Sequence, residues 1–198
     1  MAINSEVAIC NLALLRLGER TITSLSDGTS TANACNIAYS TARDSLLRRH
    51  FWNFSLKRTI LAADATAPSF EWAATFPLPS DFIRVKHIYN QSSDYSIEGR
   101  NLLTDQTSSL NLVYVSLEDD VSFFDPLFVD ALVLLLIMKI GPKIQGEGFN
   151  VQPYAQELQT VLLEAKIADA QDSSPDQLSI NSFTDARSGN SSWNYTIP

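Results

Sequence analysis

Positive charge collects in one short stretch of this chain. Arg43, Arg48, Arg49 and His50 are followed by Lys57 and Arg58, with Phe51 and Trp52 between them. Cations interleaved with aromatics can contact nucleic-acid phosphates or the acidic face of a partner. The same residues at a helix C-terminus complement the helix dipole, and in an acidic chain they also find carboxylates, within one subunit or across two. Both readings stand on the sequence. Arg43, Arg48, Arg49, Lys57 and Arg58 are therefore the candidate inter-subunit or DNA-facing cluster.

The rest of the chemical inventory is thin. His50 sits among arginines, a poor setting for a general base, and His87 falls in a strand pattern, so both read as structural or surface residues. Glu118, Asp119 and Asp120 precede Asp125 and could hold a cation; the favoured reading is a solvated loop leading into a helix cap. Glycoside cleavage needs two carboxylates facing one groove, and Glu98, Asp105, Glu118 and Asp120 are the acids from which such a pair could be drawn. Metalloprotease, nucleophile-elbow, phosphate-loop, dinucleotide and paired CxxC motifs are missing from the sequence. Cys10 and Cys35 lie in helical patterns and read as small buried hydrophobes, with an inter-helix disulfide as the alternative. No catalytic residue, metal ligand or cofactor is assigned.

The elements that must position these residues are built around Asp125 to Gly141, DPLFVDALVLLLIMKIG. Asp125 suits an N-cap and Pro126 the first helical position. Gly141-Pro142 reads as the stop. A helix apolar on nearly every side must be buried on nearly every side. It falls short of the roughly 20 apolar residues a bilayer needs, and Asp130 and Lys139 interrupt it. Two helices are predicted before it, over 5–17 with Gly18 as its stop and over 30–50 with an Ala34, Ala38, Ala42, Leu46 stripe. One follows over 150–171, with Pro153 in its first turn. Between them the period shifts to that of strands: from Phe54 to Ile60, Phe70 to Phe76 on one face, Phe82 to Tyr89, a Tyr95 to Thr104 hairpin turning at Gly99-Arg100, and Leu110 to Val115. The expected fold is α+β, mainly α. It has a four-helix core from residues 1–53 and 118–172 and a small antiparallel β insert over 54–117. An extended C-terminal tail covers 173–198.

Composition narrows the class. With 198 residues the chain can bury one good core plus an appendage. Hydrophobic residues make up 45% and charged ones only 18%, and weakly polar surface often ends against other subunits. A net charge of -8 is the wrong sign for a simple nucleic-acid binder, though it suits a wall that DNA passes without adhering. The N-terminus lacks a basic region and a long apolar run, so synthesis and folding in cytoplasm is the expectation. The stretch from Ser173 is rich in Ser, Asn and Asp yet carries Phe183, Trp193 and Tyr195. Large aromatics in a polar tail are candidate docking anchors, with a frayed terminus as the alternative.

Four stretches taken in order resemble one known family. They are LGER with TSL and DGTSTANACNIAYSTARDSLLRRHFWNFSLKR; FPLPSDFIRVKHIY; YSIEGRNLLTDQ with LNLVYV; and FDPLFVDALVLLLIMKIGPKIQG with AKIADAQDSSPD. Spanning about residues 5 to 176, they resemble the head-to-tail adaptor of short-tailed bacteriophages, the tail tubular protein A family. The resemblance implies a non-enzymatic virion protein, assembled in the host cytoplasm and located in the virion tail. It implies a dodecameric ring beneath the portal protein, continuing the channel for double-stranded DNA without sequence-specific binding or a membrane. It also implies docking to the nozzle (tail tubular protein B) and to tail fibres. The competing expectation is a tail-associated hydrolase acting on cell-wall or capsule polysaccharide.

Overall fold

The computed structural model describes residues 5–89 and 94–172. Four helices, α1 (Glu6–Arg16), α2 (Ser30–Arg49), α3 (Pro126–Gln145) and α4 (Gln152–Gln171), flank six strands in the chain. The strands are β1 (Leu56–Leu61), β2 (Ala74–Pro77), β3 (Phe82–Tyr89), β4 (Tyr95–Glu98), β5 (Asn101–Thr104) and β6 (Leu110–Ser116).

Local chemistry sets most helix ends. The Ser5 hydroxyl accepts from the Ala8 N–H at 3.1 Å and the Asp125 carboxylate from the Leu127 N–H at 2.8 Å, each satisfying a donor the helix leaves open. Gly18, at φ 76°, closes α1. The Glu19 N–H reaches the Leu14 carbonyl and the Gly18 N–H that of Leu15, the paired closure of a Schellman turn. The loop after it is pinned by Asn11, whose side-chain amide both donates to and accepts from the Ile22 backbone.

The predicted end of α3 is displaced. The helix runs through Gly141 and Pro142 to Gln145, and Gly146 at φ 63° takes the cap. Gly141 is buried, and a Cβ there would collide with the Phe149 ring. It is a glycine of close approach, and Pro142 sits in the last turn of the helix, where it forgoes the bond to the carbonyl four residues back.

Around α3 pack α1, α2 and α4. Phe128, Leu132, Leu134, Leu136 and Ile137 are buried there with Leu14, Leu46 and Leu47. Each fully buried side chain of this size contributes about 1.5–3 kcal/mol of transfer free energy.

A small β insert in a mainly helical chain is the expectation that the fold overturns. The protein is α+β, with 49% helix, 20% strand and two three-stranded antiparallel sheets. One sheet runs β1-β6-β3 and the other β2-β5-β4. Phe76, Leu102, Leu110, Leu112 and Tyr114 form a second core between them. Leu56 pairs with Val115, far along the chain, and such pairing leaves no local trace in a sequence. The predicted Phe70–Phe76 strand also shortens. Glu71 has φ 71°, which turns the chain and leaves Phe70 exposed, so pairing starts at Ala74. The β4–β5 hairpin does turn at Gly99-Arg100, with Gly99 at φ 60°.

Candidate functional site

The two cores meet at the stretch that carries the basic cluster. Trp52 is buried where α2 gives way to β1, its indole N–H donating to the Leu46 carbonyl at 3.0 Å. Its ring meets Phe128 edge-on at 5.0 Å, and Phe54 lies against Phe124 and Phe128. Below them, the Ser116 hydroxyl donates to the Ser55 carbonyl and the Ser55 hydroxyl to that of Trp52. These are buried polar groups fully paired.

The structure does not assemble the five basic candidates into one patch. Arg43 is buried, bonding Asp44 through Nε at 2.9 Å and Asp119 through a terminal nitrogen at 2.5 Å. It fastens α2 to the loop ahead of α3. Arg48 donates to the Ile83 carbonyl at 2.8 Å and so ties α2 to β3. Lys57 pairs with Asp81 at 2.9 Å. Only Arg49 and Arg58 are exposed without an ion-pair or hydrogen-bond partner among the described residues. Helix, turn and strand point successive residues at different neighbours, so adjacency along the chain does not survive folding.

Two polar features of this seam have clear electrostatics. Asp81 accepts from Lys57 Nζ and, at 3.0 Å, from the Tyr114 hydroxyl. Burial pushes its carboxyl up, but these hydrogen bonds outweigh burial and hold it below its ordinary value. Burial, then the bond to Asp81, push the Tyr114 hydroxyl up to about 12. Arg84 was not among the sequence candidates. Its guanidinium lies 3.6 Å from the Phe51 ring centroid, and its buried Nε has no hydrogen-bond partner among the described residues. Burial and the neighbouring Arg48 lower its pKa. Its position in β3, alternating with Lys86, is the only signal the sequence held.

His50 joins Asp169 at 2.5 Å and Asn53 donates to the Asp169 carbonyl, so the end of α2 holds the last turn of α4. His87 is exposed, its ring 4.3 Å from that of Tyr89. Both histidines therefore sit where a structural or surface role has them. Cys10 and Cys35 are free and buried; hydrogen bonding to Cys35 and burial push the Cys10 thiol above its ordinary value.

Three of the candidate acids accept from backbone N–H groups. Asp105 accepts from the Ala73 N–H, Asp120 from that of Ser122, and Glu118 from that of Asp120. Among the described residues no cluster of His, Cys, Asp and Glu is built to hold a metal ion, and no helix is long and apolar enough to cross a membrane. An open groove of about 490 Å³ lies on the outer face of the first sheet, lined by Arg58, Ile60, Tyr89, Asn111 and Val113. Its walls come from three strands, so no local pattern in the residues announces it. Phe183, Trp193 and Tyr195 lie outside the described residues. No family model matches the chain, and no curated protein matches it.

Proposed function

We propose that this chain is a structural subunit of a virion-tail adaptor ring joining a bacteriophage portal to the tail nozzle and continuing the DNA channel. The order and spacing of the four family-like stretches support the reading. The observation that carries it is unmatched apolar surface on a closed helical core. Leu15, Ile37, Leu163 and Ile167 project outward from three helices, where a free-standing subunit gains nothing from them.

Charge supports the same reading. The chain carries a net charge of -8, and Arg43 and Lys57 are paired within the subunit. A surface of this kind repels a passing polyanion instead of gripping it. The hydrolase reading needs two acids aimed into one groove, whereas Asp105, Glu118 and Asp120 each accept from a backbone N–H.

Mixing the full chain with a purified portal ring tests the proposal. Ring-on-ring particles in electron micrographs, with this chain below the portal, are expected. A chain that neither forms rings nor binds portal at any concentration overturns it.

A further inference from the structure

We infer that copies of this chain associate head to tail, the outer face of α4 in one copy seated in the groove between α2 and α3 of the next. The inference deepens the ring reading by naming the two faces, and it rests on that reading for closure into a ring.

The receiving face is a groove of about 420 Å³ floored by Ala34, Ala38 and Ile140, with Ile37 at its lip. Ile37 is 74% exposed. Alanines at this spacing let a second helix approach closely. Lys139 and Lys143 line the α3 side of the groove and make no ion pair among the described residues.

The entering face is a ridge. Leu163 and Ile167 are 60% and 52% exposed, and a four-residue spacing stacks them on one face of α4. Thr160 and Ala170 extend the same stripe, opposite the buried Leu158 and Ala165. Glu164 stands beside it, exposed and without an ion-pair partner among the described residues. Seated in the groove, the ridge sets Glu164 against Lys139 and Lys143. Lys166, on the ridge's other edge, then faces the α2 wall that carries Asn33, Ser40 and Asp44.

The occupant is a second copy because ridge and groove match in shape and charge yet cannot meet in one subunit. Ile37 points away from the core on α2, as Leu163 and Ile167 do on α4, while Ala34, Ala38 and Ile140 form the groove's floor as outer members of the core. A groove does not complement itself, so the contact is between unlike patches and propagates until it closes.

Surface substitutions test this on the full chain. Ile37→Asp blocks the groove, and Leu163→Asp with Ile167→Asp blocks the ridge. Both leave the buried faces intact, so unchanged circular dichroism and melting temperature are expected. In sedimentation equilibrium at rising concentration, wild type should pass beyond a dimer. Each blocked variant alone should stay monomeric, and an equal mixture should give a dimer and nothing larger. Lys139→Glu with Lys143→Glu should weaken association by at least about tenfold, and adding Glu164→Lys should restore it. A wild type that stays monomeric or stops at a dimer, or blocked variants that assemble normally or fail to pair when mixed, overturns the inference. Association through these faces without portal binding would instead remove the portal reading and leave this one standing.

Discussion

In the helical part a single helix, α3, is covered by three others, so most of its surface is hidden at once. In the β part neither sheet is central; each shields only the inner face of the other, and Ile60, Phe70 and Ile97 remain exposed. The first arrangement gathers its stabilisation on one element. The second divides it among short strands and joins the helical core along β6, whose Val115 belongs to one core and whose Leu110, Leu112 and Tyr114 belong to the other. Damage to α3 should therefore be felt throughout the molecule, whereas damage to the second core should stay nearer its source.

The largest effect is expected for Leu134→Asp. Leu134 is 1% exposed, and an unpaired carboxylate there, added to the lost packing, should cost more than about 4 kcal/mol. Loss of helical circular dichroism together with the strand signals in NMR spectra is expected. If the strands persisted, the β part would be stable by itself and the contrast drawn above would fail.

Next comes Phe76→Ala. Phe76 is fully buried between the sheets, and its loss should cost about 3–5 kcal/mol. Hydrogen exchange should quicken first in β2, β5 and β6, with α3 amides still protected. Equal loss of protection in α3 would mean that the two cores unfold as one.

Gly141→Ala probes a single contact in the helical part. The added methyl meets the Phe149 ring, so a loss of about 1–3 kcal/mol is expected from overpacking, recovered by also changing Phe149→Leu. Were Gly141 acting as a cap, the second change would recover nothing.

The smallest effect concerns pH. Asp81 is held below its ordinary 3.8, so its contribution is full above that value and is lost as pH falls through the depressed one. Lys57 is raised above its ordinary 10.5, chiefly by its bond to Asp81. Its contribution is full below 10.5 and is lost as pH climbs past the raised value. Lys57 is half exposed, so screening limits the pair to about 1 kcal/mol or less. Asp81→Asn should lower the unfolding free energy from denaturant titration by that amount at neutral pH and flatten its decline in acid. A decline as steep as in wild type would place the acid sensitivity elsewhere.

What could be read from residues alone follows a physical divide. Ser5, Gly18, Asp125 with Pro126 and the Gly99-Arg100 hairpin act on backbone groups a few positions away, and their expected roles match the structure. The partner of β1 lies beyond β5, and nothing near Leu56 announces Val115, so strands were foreseeable and their two-layer stacking was not. Gly141 reads as a stop because glycine before proline usually is one; its packing role depends on Phe149 folding back onto it. In the same way, Arg43 and Lys57 share a charged stretch but answer to Asp119 and Asp81, which only the folded chain brings near. The open groove on the first sheet and the Arg84 contact with Phe51 are products of assembly in the same sense.

The strand order carries one more consequence. β1 and β3 are the two edges of their sheet, and each has a row of backbone donors and acceptors that another extended chain could pair with. Lys57 and Arg58 stand on one of these edges. The other holds Arg84 and Lys86, and its register slips twice, between Phe82 and Arg84 and between Val85 and His87. Charge and broken register make both edges poor templates for a further strand. If copies assemble as proposed, the positive residues would guard against fibrous stacking and leave self-recognition to the helices.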